Sequence, residues 1–221
     1  MLSNRQATTD SRRPWQWLLL FACLAVAAGA SFAPWVHRPP AALTLTAPDL
    51  AEFVKFLPQV RSGTLAVHRL AFLAPLFAVT FTLPMVAVSK RVRFPRLVQI
   101  VLLVAVCPLA LTLLPPVWSP AVLTNREFFP QTVAGAACLC LLPASHWLHL
   151  VPDKALTPLF FLVWLAAPAL ALWQFYRVLP AVATAYAAPI APAWGLWVVV
   201  VGSLGMMAAW YSCRPGRQFP G

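Results

Sequence analysis

Six long stretches of apolar residues alternate with short polar segments, and none has an acidic residue, a lysine or an arginine in its interior. Each has about twenty residues, enough for an α-helix to cross a hydrocarbon core about 30 Å thick. The pattern predicts six transmembrane helices at residues 15–35, 68–88, 97–118, 127–149, 156–178 and 191–212. The predicted fold is all-α, a polytopic membrane bundle that makes residues 1–221 a single transmembrane domain.

Residues 36–67 form the longest segment between two of these stretches. Thr46 followed by Pro48 and Asp49 is a pattern that starts helices. The apolar face of the predicted helix carries Leu50, Phe53, Val54 and Leu57. The segment therefore predicts a short amphipathic helix on the membrane surface. It is either a docking element for a partner, a lid over a cavity between the helices, or a plain interfacial connector.

Composition supports a lipid environment, because 61% of the 221 residues are hydrophobic and 10% are charged. Soluble domains are about a quarter charged. The net charge of +11 comes from basic residues close to the ends of the apolar stretches, where they meet the headgroups of the lipid bilayer. The chain has no soluble basic domain that could bind nucleic acid, so nucleic acid is not an expected partner.

Ten of the sixteen Lys and Arg residues fall on the side of both termini. By the positive-inside rule, this excess predicts that both termini are cytoplasmic and that residues 36–67 lie outside a plasma or inner membrane. Four of the ten form a cluster in the second loop: Lys90, Arg91, Arg93 and Arg96. These are candidate contacts for lipid headgroups or for an acidic partner surface. The alternative is that they serve only as a topology signal.

The first predicted span has a second interpretation. Residues 11–33 combine a charged start, an apolar run and a small-residue end at Ser31-Phe32-Ala33, as in a cleaved signal peptide. The apolar run is longer than a usual signal core, and Trp15 and Trp17 resemble interfacial anchors. We therefore expect a retained first helix.

Prolines and small residues mark the interiors of the spans. The prolines predict kinks, which are either static or hinges: Pro75, Pro84, Pro108, Pro143 and Pro168. The pairs Ala25 with Gly29 and Gly205 with Ala209 have the spacing of small residues at helix–helix contacts, and Gly135 lies among alanines. These faces are either internal contacts or surfaces for another membrane subunit.

Few residues could carry chemistry. His146 and His149 are spaced to share a helix face, so they are candidate ligands for a metal or a haem, or else interfacial anchors beside Trp147. Cys138 and Cys140 point about 200° apart on a helix and make no metal motif. The sequence has no nucleophile elbow, paired carboxylates, Walker motif or dinucleotide fingerprint, so we expect neither enzymatic activity nor a cofactor.

These features predict an accessory or scaffolding subunit of a larger membrane complex, with other membrane subunits as partners and no chemistry of its own. The first alternative is a permease component for an apolar or lipid-like substrate, energised by a partner chain. A lateral cleft between the helices would favour that alternative, and a solidly packed interior would oppose it. The second alternative is a haem- or metal-binding membrane protein, which depends on His146 and His149.

Overall fold

The computed structural model describes residues 13–38, 43–115, 117–148 and 150–213, and most of them are helical. The long helices are α1 (Arg13–Ser31), α4 (Leu70–Val88), α5 (Arg96–Leu113), α7 (Phe129–Leu148), α8 (Asp153–Ala185) and α9 (Trp194–Ser212). Between them lie β1 (Val36–Arg38), β2 (Leu43–Leu45), α2 (Ala47–Phe53), a 3₁₀ turn (Val54–Phe56), α3 (Pro58–Arg61) and α6 (Pro120–Leu123). We call the end of the bundle that holds β1 and β2 the hairpin end, and the opposite end the terminal end.

Five of the described helices are long and apolar enough to cross a membrane: α1, α4, α5, α8 and α9. The helical, multi-pass character predicted from the sequence is therefore confirmed. The fourth predicted span forms α7, whose 20 residues are long enough to cross. It is not among those five, and its apolar sequence is interrupted by the polar residues Gln131, Ser145 and His146.

The observed helices differ from the predicted spans in their limits at three places. The span predicted at 15–35 ends at Ser31, and the chain then turns into β1. The span predicted at 97–118 ends at Leu113, because Leu114 precedes a proline and has the extended backbone favoured there. Helix α8 extends beyond both limits of the span predicted at 156–178, because it runs for 33 residues, about 50 Å at 1.5 Å per residue.

Helix α4 is the core of the bundle, with 78% of its span buried against 22% for α5. It packs against α1, α5, α7 and α8 and also carries the short α2. Its buried hydroxyls bond within the helix: Thr80 donates to the carbonyl of Leu76 and Thr82 to that of Ala78, both at 2.7 Å. Self-bonded hydroxyls of this kind allow polar residues to sit in an apolar core without a partner from another helix.

The small-residue faces are used inside the chain. Helices α1 and α9 pack closely along their length, and an added Cβ at Gly202 would lie 2.5 Å from Cγ2 of Val26. Gly205 faces Ala22 in the same interface, and Gly135 of α7 faces the end of α5. The interpretation of these faces as surfaces for another subunit is therefore wrong for these glycines.

The loop after α1 contains a small antiparallel sheet that the sequence analysis did not predict. Val36 pairs with Leu45, and it also forms a bridge to Pro192 just before α9. The predicted start of the helix in this loop is confirmed, since α2 begins at the capping box of Thr46 and Asp49. The backbone N–H of Thr46 donates to Oδ2 of Asp49 at 3.0 Å, and this fixes where the helix starts.

The apolar face of α2 and the following turn packs against the bundle itself. Leu50, Val54 and Leu57 are fully buried in the hydrophobic core, and Phe53 stacks on Tyr186 with ring centroids 5.8 Å apart. The face proposed for docking a partner is therefore occupied by the chain's own helices. An isolated helix of this length is only marginally stable in water. The contact of its apolar side with α4 therefore stabilises α2.

Candidate functional site: a lateral groove

A groove of about 360 Å³ lies on the side of the bundle, in the half nearest the hairpin end. Small residues of α4 form its floor, and α7 and α8 form its walls. The main lining residues are Ala71, Ala74, Phe77, Ala134, Leu170 and Trp173. We call this the lateral groove. It exists because Ala71 and Ala74 fill less space than the leucines and phenylalanines elsewhere on α4.

The lateral groove opens sideways, toward the region that lipid occupies around a membrane helix. Leu170 and Trp173 in its wall are 49% and 50% exposed, although both belong to the long apolar helix α8. Its volume lies within the range of about 300–1,000 Å³ that is usual for small-molecule sites. An apolar groove at this position suits a hydrocarbon chain and not a hydrated ion, because the chain gains from leaving water and the ion would lose its hydration.

Two polar side chains line the lateral groove, His68 at its hairpin end and Gln131 in the wall formed by α7. Gln131 is only 8% exposed, and its side chain makes no hydrogen bond within the part of the chain that the structure describes. It also lines a second cavity, of about 470 Å³, which reaches toward Ser31 and Glu52. Its side chain borders both cavities, so Gln131 is a position where a bound molecule could supply a hydrogen bond.

A tryptophan and an arginine meet at the hairpin end of the lateral groove. The guanidinium of Arg177 lies 4.9 Å from the ring centroid of Trp173, which is within cation–π distance. The neighbouring Gln174 is fully buried, and its Oε1 accepts a hydrogen bond from the backbone N–H of His68 at 3.3 Å. This bond ties the start of α4 to α8 beside the groove.

Four charged residues form a cluster that ties α2, α4 and the start of α7 together at the hairpin end. Arg69 pairs with both Glu52 and Glu127, and its Nε donates to the carbonyl of Ala51 at 2.9 Å. Lys55 approaches the same two carboxylates, and lies 3.6 Å from Glu127. The two cations are therefore matched by two anions.

The residues before α7 have the spacing of a capping box but do not form one. The spacing of Thr124 and Glu127 fits such a box, but the hydroxyl of Thr124 donates to the carbonyl of Pro120 instead. Glu127 turns its carboxylate to Arg69, and α7 begins at Phe129. The ion pair is favoured because it neutralises Arg69, whose side chain is largely buried.

The basic loop at the terminal end divides into buried and exposed members. Arg91 is only 7% exposed, its Nε donates to Oδ2 of Asp153 at 3.0 Å, and its guanidinium lies 5.3 Å from the ring centroid of Trp210. It therefore belongs to the packing of the bundle, and its prediction as a lipid or partner contact was wrong. Lys90, Arg93 and Arg96 are exposed at this end, as a contact surface requires.

The candidate histidine site is not assembled in the described residues. His146 is exposed and makes an edge contact with Trp147, with ring centroids 6.0 Å apart. His149 lies outside the residues that the structure describes. Within those residues, no group of three or more His, Cys, Asp or Glu side chains could hold a metal ion. Cys138 is buried and Cys140 exposed, in agreement with their predicted opposite directions.

Sequence reasoning missed the lateral groove, although two local signals were present. Ala71 and Ala74 interrupt the large side chains of α4 three residues apart, and Trp173 precedes Arg177 by one helical turn on α8. Neither spacing reveals that α4 and α8 face each other. That fact depends on the packing of helices far apart in the sequence.

Comparison with protein-family models, with curated proteins and with solved structures found no match to this chain. The fold and the groove alone define the class of protein. It is a multi-pass helical membrane protein with an apolar groove that opens from its side.

Proposed function

We propose that this chain is a permease-type component that binds an apolar or lipid-like molecule in the lateral groove, and that a partner chain supplies the energy. The observation that carries the proposal is the groove itself, which is lined almost entirely by apolar side chains and opens sideways on long apolar helices. Such a site takes its ligand from the bilayer and not from water. The sequence contains no nucleotide-binding motif, so transport against a gradient would need another subunit.

We further propose six membrane crossings, with both termini in the cytoplasm of a plasma or inner membrane. The length of α7 and the excess of Lys and Arg on the side of the termini support this topology. It places the lateral groove in the outer half of the bilayer, because His68 and Trp173 lie near the hairpin end. The ligand would then enter from the outer leaflet.

A matched pair of substitutions on α7 tests the proposed binding site. Ala134 lines the lateral groove, whereas Ala136 is exposed on the other side of the same helix. Native mass spectrometry with a neutral monoacylglycerol that has sixteen carbons in its chain would measure binding. We expect Ala134→Trp to weaken binding at least tenfold, about 1.4 kcal/mol, because the indole fills the groove. Ala136→Trp should leave binding unchanged.

Two results would oppose the proposal. The first is a wild-type protein that binds no lipid-like probe at all. The second is equal binding by the Ala134→Trp and Ala136→Trp variants, provided that both elute as folded protein. Ala134→Leu fills less of the groove and should weaken binding to an intermediate degree.

An accessory or scaffolding subunit is the second candidate function. The observation that favours it is the exposed basic surface of Arg93 and Arg96 beside α5, a helix that buries little of its own surface. An acidic partner or anionic lipid would suit this surface. Purification in mild detergent should then recover stoichiometric partner subunits, and substitution of Arg93 and Arg96 by Gln should release them. A lone monomer in native gels would count against this function.

A further inference from the structure

The hairpin end of the lateral groove carries an arginine at the depth where headgroups lie. Asp153 begins α8 at the terminal end, where it pairs with Arg91. Arg177 follows 24 residues later, which is about 36 Å along the helix and close to the thickness of a hydrocarbon core of about 30 Å. Arg177 therefore lies at the opposite boundary between hydrocarbon and headgroups, one helical turn beyond the groove residue Trp173.

Arg177 differs from Lys55 and Arg69 at this end in how it is neutralised. Lys55 and Arg69 share two carboxylates. Arg177 is exposed, and within the described residues it has no carboxylate in salt-bridge distance. Its guanidinium is held over the Trp173 ring, which leaves the N–H groups at its edge available to an acceptor.

A shallow cavity of about 320 Å³ adjoins Arg177 on the side away from the membrane core. Gln59, Thr64 and Thr184 supply its polar lining, and no acidic residue lines it. The carbonyl oxygen Oε1 of the Gln59 side chain is buried and has no hydrogen-bond partner in the described part of the chain. We call this the head cavity, because its size and polar lining suit a small headgroup.

We propose that the molecule bound in the lateral groove is an anionic amphiphile, with its chain in the groove and its carboxylate or phosphate bound by Arg177 in the head cavity. This inference rests on the proposed function and names the chemistry of its ligand. A guanidinium matches both oxyanions because it can donate two parallel hydrogen bonds to either. Oε1 of Gln59 can accept a hydrogen bond from a hydroxyl of the headgroup, whereas the hydroxyl of Thr64 already donates to the carbonyl of Gln59 at 2.9 Å, so Arg177 is the donor to the oxyanion.

Native mass spectrometry with probes of one chain length tests the proposal on the whole protein. The probes are palmitate, hexadecyl phosphate and hexadecanol, with inorganic phosphate as the anion that lacks a chain. We expect the two anionic amphiphiles to bind wild-type protein at least tenfold more tightly than hexadecanol. Arg177→Gln should abolish this preference and leave hexadecanol binding intact, which also shows that the variant is folded. Arg177→Lys should retain part of the preference for anionic amphiphiles, because lysine keeps the positive charge but cannot donate the two parallel hydrogen bonds of a guanidinium.

Arg126→Gln is the matched control, since Arg126 is also exposed at the hairpin end. It should not change the preference. Equal binding of palmitate and hexadecanol by wild-type protein would overturn the inference about the headgroup but leave the proposed function standing. Competition by inorganic phosphate as strong as that by hexadecyl phosphate would overturn it too, because the site would then bind a free anion. Binding of no sixteen-carbon probe would overturn both proposals.

Discussion

Gly195 makes a close contact between the start of α9 and the chain that follows α1. We therefore expect Gly195→Ala to destabilise the protein. A Cβ at this position would lie 2.6 Å from the carbonyl oxygen of Pro34 and 2.7 Å from Cβ of Ala33. The backbone N–H of Gly195 also donates to the Pro34 oxygen at 2.9 Å. Both close atoms belong to the backbone or lie one bond from it, so a side-chain rotation cannot relieve the overlap.

The expected cost follows from the competing effects. Overpacking of this kind costs about 1–3 kcal/mol, and a weakened backbone hydrogen bond adds about 0.5–1.5 kcal/mol. Alanine gains at most about 1 kcal/mol over glycine in a helix interior, and less here because Gly195 is the second residue of α9. The net destabilisation should therefore be about 0.5–4.5 kcal/mol.

Gly205→Ala is the matched control on the same helix. Its Cβ would meet Cβ of Ala22 at 3.3 Å and no backbone atom, so the change should be neutral or slightly stabilising. Thermal unfolding of the purified protein in detergent measures both variants. For a chain of this size, each kcal/mol shifts the melting temperature by about 2–4 °C, so Gly195→Ala should lower it by several degrees. Equal melting temperatures for the two variants would refute the close contact of Gly195 with Pro34.

Two further predictions concern the terminal end and the lipid-facing side. Asp153→Asn should destabilise the protein by about 1–3 kcal/mol, because the buried guanidinium of Arg91 loses its charged partner, and the neighbouring Lys154→Gln should have little effect in the same melting assay. No difference between these two variants would count against the ion pair. In single-cysteine variants, a nitroxide label should attach readily at Cys140 and collide with lipid-dissolved oxygen, whereas Cys138 should resist labelling until the protein unfolds. Equal labelling would contradict the burial of Cys138.

The local sequence predicted which segments form helices, but it did not predict which distant segments those helices contact. The apolar runs and the capping box at Thr46 and Asp49 were sufficient for α4 and α2, because both depend on residues close together in the chain. The bridge between Val36 and Pro192 could not be predicted in this way. It joins residues more than 150 positions apart, and such a pairing depends on how α1 and α9 pack.

The local sequence also could not predict which charged residues are buried. From the sequence, Arg91 and Arg93 belong to one basic cluster with one role. In the structure, Arg91 is buried beside Asp153, while Arg93 remains exposed. A carboxylate 62 residues away decides the difference, because a guanidinium is buried only where a partner offsets the loss of its hydration.

The sequence by itself determined that long helices form, that charged residues lie near the ends of the apolar stretches, and that the composition of these stretches suits a lipid environment. Each of these properties follows from the composition of a single stretch. Only the tertiary structure decided which small residues close an interface and which leave a space. Gly202 closes the contact of α1 with α9, whereas Ala74 and Ala134 leave the lateral groove open. The physical reason is that a small side chain makes a contact or a cavity according to the helix that faces it.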